Sequence, residues 1–231
     1  MLAARRFITG GNAPDSTTDP HWASVSLLLK MDGSNGSTTF TDSSDNAFTV
    51  TANGNSQIST TQSRFGGASG YFDGTGDYLS IAANSAFAFG TGDFTGEAWL
   101  YIVARTQTYN NFFSTAGVGS DFAFGHNSSG EVYFWNGSIN TTFGGDVPNG
   151  FWCHVAISRD NGSVRAFVNG VQVGSTATIT TDLGNSSEIQ FPASADYPSN
   201  ACYIDELRIT KGVARYTSNF TPRRSPFPTT S

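Results

Sequence analysis

The chain has 231 residues, of which 38% are hydrophobic and only 13% are charged, with 26 glycines, 19 Phe, 8 Tyr and 4 Trp. Its formal charge of −6, its pI of about 4.8 and the lack of any basic run longer than two residues argue against a nucleic-acid-binding protein. No stretch approaches the roughly 18 apolar residues of a membrane-spanning helix, and the length suits a single all-β domain that folds without disulfides.

The first 22 residues form a polar segment that contains glycine and proline. Only Phe7-Ile8-Thr9 follow Arg5-Arg6 before Gly10-Gly11, whereas a secretion signal needs an apolar stretch of roughly 7–15 residues, so we expect no secretion signal. Two interpretations of residues 1–22 stay open. They form an arm that is disordered by itself, or an extension that becomes ordered on a neighbouring protein.

Short runs of β-branched and aromatic residues, separated by turn-forming clusters, predict strands from residue 24 onward. The predicted strands are Ser24–Met31, Thr38–Phe40, Ala47–Val50, two segments within Tyr71–Leu79, Phe94–Val103, Phe112–Ser114, Phe122–Phe124, Glu131–Trp135, Trp152–Ser158, Val164–Val168, Val171–Val173, Glu188–Phe191 and Cys202–Ile209. Asn136-Gly137, Asp160-Asn161-Gly162 and Asn169-Gly170 indicate hairpin turns. No window has a convincing helical period, so this spacing predicts an all-β sandwich or barrel.

The last residues are rich in proline. Because proline cannot donate to a β-ladder, we expect this tail to lie over the surface or to leave it. The predicted division is therefore an arm at residues 1–22, a sandwich at 23–216 and a tail at 217–231.

The two cysteines, Cys153 and Cys202, fall in different predicted strands. One disulfide stays open, but two buried thiols are the preferred interpretation, because a free cysteine behaves as a small hydrophobic residue.

Five segments, taken in order, resemble the laminin-G-like and concanavalin A-like lectin and glucanase superfamily. They are Tyr71–Leu79, Asp93–Leu100, Gly150–Ala156, Val164–Gly170 and Tyr203–Ile209. Each segment alone is a weak signal, whereas the five in order, within residues 25 to about 210, form a strong one. The resemblance implies a two-sheet antiparallel jelly-roll sandwich.

The stretch Thr210–Pro222 is similar to the version of this domain that occurs in bacteriophage structural proteins. This resemblance implies a virion protein, either a capsid decoration or a tail-associated component, assembled in the host cytoplasm. The arm and the tail would contact other virion proteins, and the chain would be a homo-oligomer within the particle.

No constellation in the sequence predicts catalysis. Glycosidases on this fold need two carboxylates on either side of the scissile bond, about 5–5.5 Å apart in retaining enzymes. The four glutamates do not open the one-strand pattern Glu-x-Asp-x-x-Glu of related glucanases; they are Glu97, Glu131, Glu188 and Glu206. Asp205 and Glu206 are adjacent on a strand and point to opposite faces, as do Cys153 and His154, so neither pair can act together. We therefore expect no catalytic residue and no enzyme activity.

The resemblance also raises a structural calcium ion as the one cofactor to consider, because related jelly-roll glucanases hold one near the last strand. Asp32 and Asp205 match its ligand positions loosely, and Asp73 with Asp77 is a weaker option. Calcium binds carboxylate and carbonyl oxygens. In the alternative interpretation, Asp205 accepts backbone N–H groups, Asp32 caps a turn and no metal is bound.

A glycan site would combine aromatic rings that stack on sugars with polar groups that bind hydroxyls. The candidates in or beside predicted loops are Tyr109, Trp135, Asn136, Asn140 and Tyr197. The alternative is that such aromatic residues pack between the sheets. Trp99 and Trp152 fall at core positions of the family and are expected to be structural.

The leading hypothesis is thus a non-enzymatic phage virion protein on a lectin-like sandwich, to which a cell-surface glycan bound at the rim can be added. The alternative is a free-standing bacterial carbohydrate-binding lectin. A hydrolase is the third hypothesis, and it lacks a candidate carboxylate pair.

Overall fold

The fold is an all-β sandwich of two antiparallel sheets, as predicted. The computed structural model describes residues 15–115, 122–184, 188–192 and 200–231. These residues form fifteen strands and two single-turn 3-10 helices, at Trp22–Ser24 and Ser85–Phe87. The strands are β1 (Val25–Leu29), β2 (Thr51–Asn53), β3 (Gln57–Ser59), β4 (Ser69–Phe72), β5 (Tyr78–Ile81), β6 (Phe94–Ile102), β7 (Tyr109–Thr115), β8 (Ala123–Asn127), β9 (Val132–Trp135), β10 (Asn140–Gly144), β11 (Trp152–Asp160), β12 (Ser163–Val168), β13 (Val171–Thr178), β14 (Ile189–Phe191) and β15 (Cys202–Lys211). Over the described ranges, no helix has the length and apolar character needed to span a membrane.

The two sheets have the crossed connections of a jelly roll. Eight strands form one sheet in the order β13-β12-β11-β6-β15-β4-β3, with β1 also paired to β15. Seven strands form the other sheet in the order β10-β9-β8-β7-β14-β5-β2. Strand β15 comes from the C-terminal part of the chain, yet it lies between β6 and β4. The eight-stranded sheet is therefore complete only when the last strand is in place.

Phenylalanine rings fill the space between the sheets. Because side chains alternate faces along a strand, every second residue of the central strands points inward. The ring centroid of Phe94 on β6 lies 6.2 Å from that of Phe134 on β9 and 6.5 Å from that of Phe122. All three rings are fully buried, so they tie the eight-stranded sheet to the seven-stranded one.

Two predicted strands, Thr38–Phe40 and Ala47–Val50, are not strands in the structure. The carboxylate of Asp42 between them accepts backbone N–H groups from Leu28 at 3.1 Å and from Phe48 at 2.9 Å. An aspartate bonded to nearby backbone competes with a β-ladder for the same groups. The stretch is therefore a loop held against β1.

The segment Tyr71–Leu79 is strand, turn and strand as predicted, but its two strands belong to different sheets. The carboxylate of Asp77 accepts the N–H of Asp73 and the N–H of Asn55, both at 2.8 Å. These bonds fix the chain where it crosses from one layer to the other.

Residues 15–22 and 217–231, here called the terminal clasp, pack together over the outer face of the eight-stranded sheet. The Asp19 N–H donates to the Thr230 carbonyl at 2.8 Å. Trp22 and Phe227, one from each part of the clasp, are buried in a small apolar cluster with Val25 and Leu28 of β1. The predicted tail therefore lies over the surface. Residues 15–22 of the predicted arm are ordered on the chain's own sheet, an arrangement that neither interpretation of the arm includes.

Cys153 and Cys202 are both free and buried, which confirms the preferred interpretation of two thiols. Burial raises the pKa of the Cys153 thiol to about 12 and raises the pKa of Cys202 as well. Neither thiol is therefore a reactive nucleophile at neutral pH.

Candidate functional site

Three of the predicted glycan residues share the outer face of the seven-stranded sheet. Trp135 on β9 is paired with Asn140 on β10. Two residues before Trp135, and so on the same face, the ring of Tyr133 packs edge-on against Tyr109, with 5.2 Å between centroids. The structure therefore brings Tyr109, Trp135 and Asn140 together, and we call Tyr109, Tyr133, Trp135 and Asn140 the rim face.

The other two predicted glycan residues do not extend this surface. Asn136 is buried, and its side-chain oxygen accepts the N–H groups of Ser138 at 3.2 Å and Ile139 at 2.8 Å. That oxygen is committed to the turn between β9 and β10. Tyr197 lies outside the described residues. The best exposed ring of the rim face is Tyr109, at 49%.

A second aromatic surface crosses the outer face of the eight-stranded sheet. Four aromatic residues on adjacent strands are paired in sequence across this face. Tyr71 on β4 is paired with Tyr203 on β15, and Tyr203 is paired with Tyr101 on β6. Tyr101 is in turn paired with Trp152 on β11. Gln57 on β3 continues the line beside Tyr71. Ring centroids are 4.8 Å apart for Tyr71 and Tyr203, 5.9 Å for Tyr203 and Tyr101, and 5.8 Å for Tyr101 and Trp152. We call these five residues the aromatic row.

All five residues of the aromatic row are half-buried. None of the three phenol hydroxyls or the indole N–H has a hydrogen-bond partner within the described residues. Burial, together with the neighbouring phenols of Tyr71 and Tyr101, raises the pKa of Tyr203. The row contains no Asp, Glu, Lys, Arg or His side chain. The row thus combines ring surface with free polar tips.

Sequence reasoning missed the aromatic row and places Trp152 in the core, which is wrong. Trp152 lies outside the inter-sheet core, because it faces the same side of the sheet as Tyr101. Trp99 also lies on this outer side, but it is buried under Arg64, whose guanidinium is 4.0 Å from the indole ring. The signal that could have found the row is the recurrence of aromatic residues in strands that later prove to be neighbours, and the sequence alone does not reveal that pairing.

A buried network of charges lies under the terminal clasp. Glu97 on β6 accepts two hydrogen bonds from Arg208 at one oxygen, from Nε at 3.0 Å and from Nη2 at 2.7 Å. Its other oxygen lies 3.1 Å from His154 Nε2 and accepts the Tyr216 hydroxyl at 2.7 Å. Burial alone would raise the pKa of Glu97, but the charge of Arg208 and the bond to His154 outweigh it and hold the pKa well below its usual range.

This network has the character of a structural tie. Both Glu97 oxygens are fully hydrogen-bonded, and a carboxyl with so low a pKa does not act as a general acid. Arg208 also donates to Asp19 at 2.8 Å, and Arg215 holds Asp19 with two bonds, at 2.9 and 2.8 Å. The charges therefore connect the first described residues, the central strands and the C-terminal segment.

Asp205 accepts backbone N–H groups, which is the alternative to its prediction as a calcium ligand. Its Oδ2 accepts the backbone N–H groups of Arg64 at 2.7 Å and Phe65 at 2.9 Å. Burial is the main reason that the pKa of Asp205 is raised to about 7, and the charge of Asp32 raises it further. Its Oδ1 is buried without a hydrogen-bond partner.

The donor set around Asp205 falls short of a calcium shell. Calcium takes about 6–8 oxygen ligands, and the described ranges contain no group of three His, Cys, Asp or Glu side chains placed to hold a metal ion. At the weaker site, Asp77 caps the crossover and Asp73 accepts the N–H of Thr75 at 2.7 Å. Calcium at either place stays a prediction.

Several solved structures share this fold. The binding domain of Paraclostridial Mosquitocidal Protein 1 has a TM-score of 0.65 at 12% identity, over 84% of this chain and 50% of that one. The binding domain of Botulinum Neurotoxin DC in complex with SialylT has a TM-score of 0.62 at 15% identity, over 83% and 49%. This chain therefore spans about half the length of those structures. Domain 4 of AbnA, a GH43 extracellular arabinanase from Geobacillus stearothermophilus, in complex with arabinotriose, has a TM-score of 0.64 at 20% identity, over 82% and 93%.

A search of curated protein sequences returns no match. A family model described as the concanavalin A-like lectin/glucanases superfamily, in its Laminin_G_3 branch, matches residues 73–215. The match covers more than half of the chain and includes strands β5 to β15 in full. The two-sheet jelly roll and the match agree, and the chain belongs to the concanavalin A-like lectin/glucanase superfamily.

Proposed function

We propose that this chain is a non-catalytic glycan-binding domain whose main contact surface is the aromatic row. The observation that carries the proposal is the line of four rings, Tyr71, Tyr203, Tyr101 and Trp152, one from each of four adjacent strands. Sugar rings present C–H groups that pack on aromatic faces and hydroxyls that bond to polar groups at the edge. The row offers both kinds of contact.

The dimensions and the charge of the row suit a neutral saccharide. Three strand-to-strand steps extend about 14 Å at the usual spacing of roughly 4.8 Å, which is long enough for more than one sugar ring. The rings are tilted to one another by 37° to 81°, so they form a ribbed surface rather than a flat one. Such a surface suits a soluble oligosaccharide better than a crystalline polymer. The similar arabinanase domain, in complex with arabinotriose and matched over 93% of its length, supports a saccharide as the ligand.

The rim face is the second candidate surface, and Tyr109 is the observation that favours it, since its ring is half-exposed beside Trp135 and Asn140 on one face. The two surfaces lie on different sheets of the sandwich. Single substitutions can therefore test them separately.

The experiment is a glycan array probed with the purified chain, followed by calorimetric titration of the best-bound oligosaccharide. We expect Trp152→Ala to weaken binding by about tenfold or more, because loss of an anchoring tryptophan costs about 1.4 kcal/mol or more. Tyr203→Phe keeps the ring packing and removes one hydroxyl, so its affinity should fall several-fold. Trp135→Ala on the rim face is the matched control and should bind as the unsubstituted chain does.

Two results would overturn the proposal. If no glycan binds on the array, the function is wrong. If Trp135→Ala abolishes binding and a folded Trp152→Ala does not change it, the rim face is the site and the aromatic row is not. Urea unfolding of each variant separates lost binding from lost folding.

We propose in addition that the domain is carried on a phage particle, on the resemblance of Thr210–Pro222 to phage structural proteins. Residues 217–231 are packed on the chain's own sheet. Contacts to other virion proteins would therefore be made by residues 1–14 or by exposed residues of the sandwich. Deletion of residues 1–14 leaves Asp19 and Trp22 in place and is the appropriate test. Loss of the protein from purified particles supports docking through these residues, and unchanged incorporation counts against it.

A further inference from the structure

A cavity of about 220 Å³ opens between the terminal clasp and residues 208, 215 and 216, and neither aromatic surface contributes to its lining. Its wall contains three arginines, Arg208, Arg215 and Arg223, but a single carboxylate, Asp19. The stacked rings of Tyr216 and Phe220, with centroids 3.6 Å apart, form another part of the wall.

The carboxylates near the cavity have no acceptor capacity to spare. Asp19 accepts four hydrogen bonds, from the N–H of His21, from Arg208 and twice from Arg215. Glu97, behind Arg208, has partners at both oxygens. Donors remain, because each guanidinium has five N–H groups. Arg208 donates from three nitrogen atoms to Glu97 and Asp19, and Arg215 donates from three to Asp19 and to the Thr210 hydroxyl, so each keeps further N–H groups.

Arg223 adds a third cation at the rim of the cavity. Its Nη2 donates to the Ser16 carbonyl at 2.6 Å, which ties the two halves of the clasp together. Its Nε is buried and has no hydrogen-bond partner. Among the residues that line the cavity, three arginines face one carboxylate, whereas Glu97 lies behind Arg208 and Asp15, whose charge acts on Arg223, lies outside the lining.

We infer that this cavity binds a small oxyanion, either a carboxylate or a sulfate. Guanidinium groups match the planar, two-oxygen face of such groups. The cavity volume is many times the roughly 10–15 Å³ that a cavity needs to hold one water molecule, so an anion with a few bound waters fits, as does the acidic part of a sugar. Residues 1–14 are a poor occupant, because they contain Arg5 and Arg6 and no acidic residue.

The test follows the Nε–H resonances of Arg208, Arg215 and Arg223 in protein with 15N-labelled arginine, as sulfate replaces chloride at constant ionic strength. We expect a saturable shift at Arg223 and at one or both of the other arginines. Thr18 is exposed and lines the cavity, so Thr18→Glu places a carboxylate among the arginines, and Thr18→Gln is the uncharged control. Sulfate affinity should be unchanged in T18Q and weaker by about tenfold or more in T18E, because the new charge neutralises the site.

No saturable shift in any of the three resonances would overturn the inference. Equal sulfate affinity in T18E and T18Q would overturn it as well. A second titration compares methyl glucuronide with methyl glucoside, which differ in the carboxylate. Shifts with the glucuronide alone support an acidic sugar as the source of the oxyanion, whereas saturation by sulfate without a response to the glucuronide supports a free inorganic anion. These readouts are independent of the aromatic row, so this inference and the proposed function can fail separately.

Discussion

Two ion pairs of nearly equal length show how burial decides the contribution of a charged residue. Arg208 Nη2 lies 2.7 Å from Glu97 in the interior, and Arg105 Nη2 lies 2.8 Å from Asp146, whose side chain is 70% exposed. We expect Glu97→Gln to lower the free energy of unfolding by about 3–5 kcal/mol, because it leaves Arg208 as a buried charge without its main partner. Asp146→Asn should cost about 0–1 kcal/mol.

Urea unfolding followed by tryptophan fluorescence measures both variants. A Glu97→Gln protein that unfolds at the same urea concentration as Asp146→Asn would contradict the structural role given to the buried network.

The raised pKa of Asp205 leads us to expect that the folded protein loses part of its stability as the pH rises. Its pKa in the folded protein is raised to about 7 by burial, well above the value of about 3.9 in an unfolded chain. Between these values the folded protein binds more protons than the unfolded chain. The contribution of Asp205 is therefore complete below about pH 4 and is lost as the pH rises through about 7. Asp205→Asn removes that loss, so its stability relative to the unsubstituted chain should increase from about pH 5 to about pH 8.

The measurement is the difference in unfolding free energy between Asp205→Asn and the unsubstituted chain at each pH, because His126 changes stability with pH in the opposite direction. Burial lowers the pKa of His126 to about 4, so its contribution is complete above about pH 6.5 and is lost as the pH falls through about 4. Subtracting the two unfolding curves cancels His126. Burial also raises the pKa of Glu206 to about 7, and the charge of Asp205 adds to this, so the substitution relieves Glu206 in the same direction. A difference that does not change with pH would rule out this account of Asp205.

At the scale of elements, the terminal clasp depends on one ring. Phe227 is 3% exposed, packs with Trp22 and Leu28, and lies 3.7 Å from the Arg208 guanidinium. We expect Phe227→Ala to cost about 3–5 kcal/mol in the free energy of unfolding. Phe151→Ala is the matched control, since Phe151 is 69% exposed and its truncation should change stability by no more than about 0.5 kcal/mol.

Hydrogen exchange separates loss of the clasp from loss of the whole sandwich. In Phe227→Ala, the amide of Asp19, which donates to Thr230, should exchange faster than the amides of the central strands β6 and β15. Unchanged protection at Asp19 would contradict the assignment of Phe227 as the residue that holds the clasp.

The elements that the sequence predicts well are those with a long period-two pattern. Phe94–Ile102 and Cys202–Lys211 agree with their predictions to within two residues. Inward residues alternate along the whole of Phe94–Ile102, and along Cys202–Lys211 they do so on either side of a bulge between Asp205 and Arg208. The short strands β2, β3 and β10 contain few buried apolar residues, and the sequence does not indicate them. At Thr38–Phe40 the pattern is misleading, since the side chain of Asp42 takes the hydrogen bonds that a strand would need.

For the whole molecule, the sequence predicts the fold and only part of the candidate site. The sandwich follows from strand spacing and from five family segments in order, and the structure and the family match confirm it. The aromatic row depends on the register of four strands that are far apart in the sequence, β4, β6, β11 and β15. A shift of one residue in any of them would turn its ring to the core. The sequence predicts three residues of the rim face, because they lie near loops that the turn-forming residues indicate. They are Tyr109, Trp135 and Asn140.

The four tryptophans allow one spectrum to test where a glycan binds. Trp152 lies in the aromatic row, Trp135 on the rim face, Trp22 in the clasp and Trp99 beneath Arg64. The measurement is a titration of the 15N-labelled chain with its best-bound oligosaccharide, following the indole N–H resonances. If the aromatic row binds the glycan, the Trp152 resonance shifts saturably while those of Trp135 and Trp22 stay unchanged. A shift of Trp135 with Trp152 unmoved, or no shift of either, would contradict it.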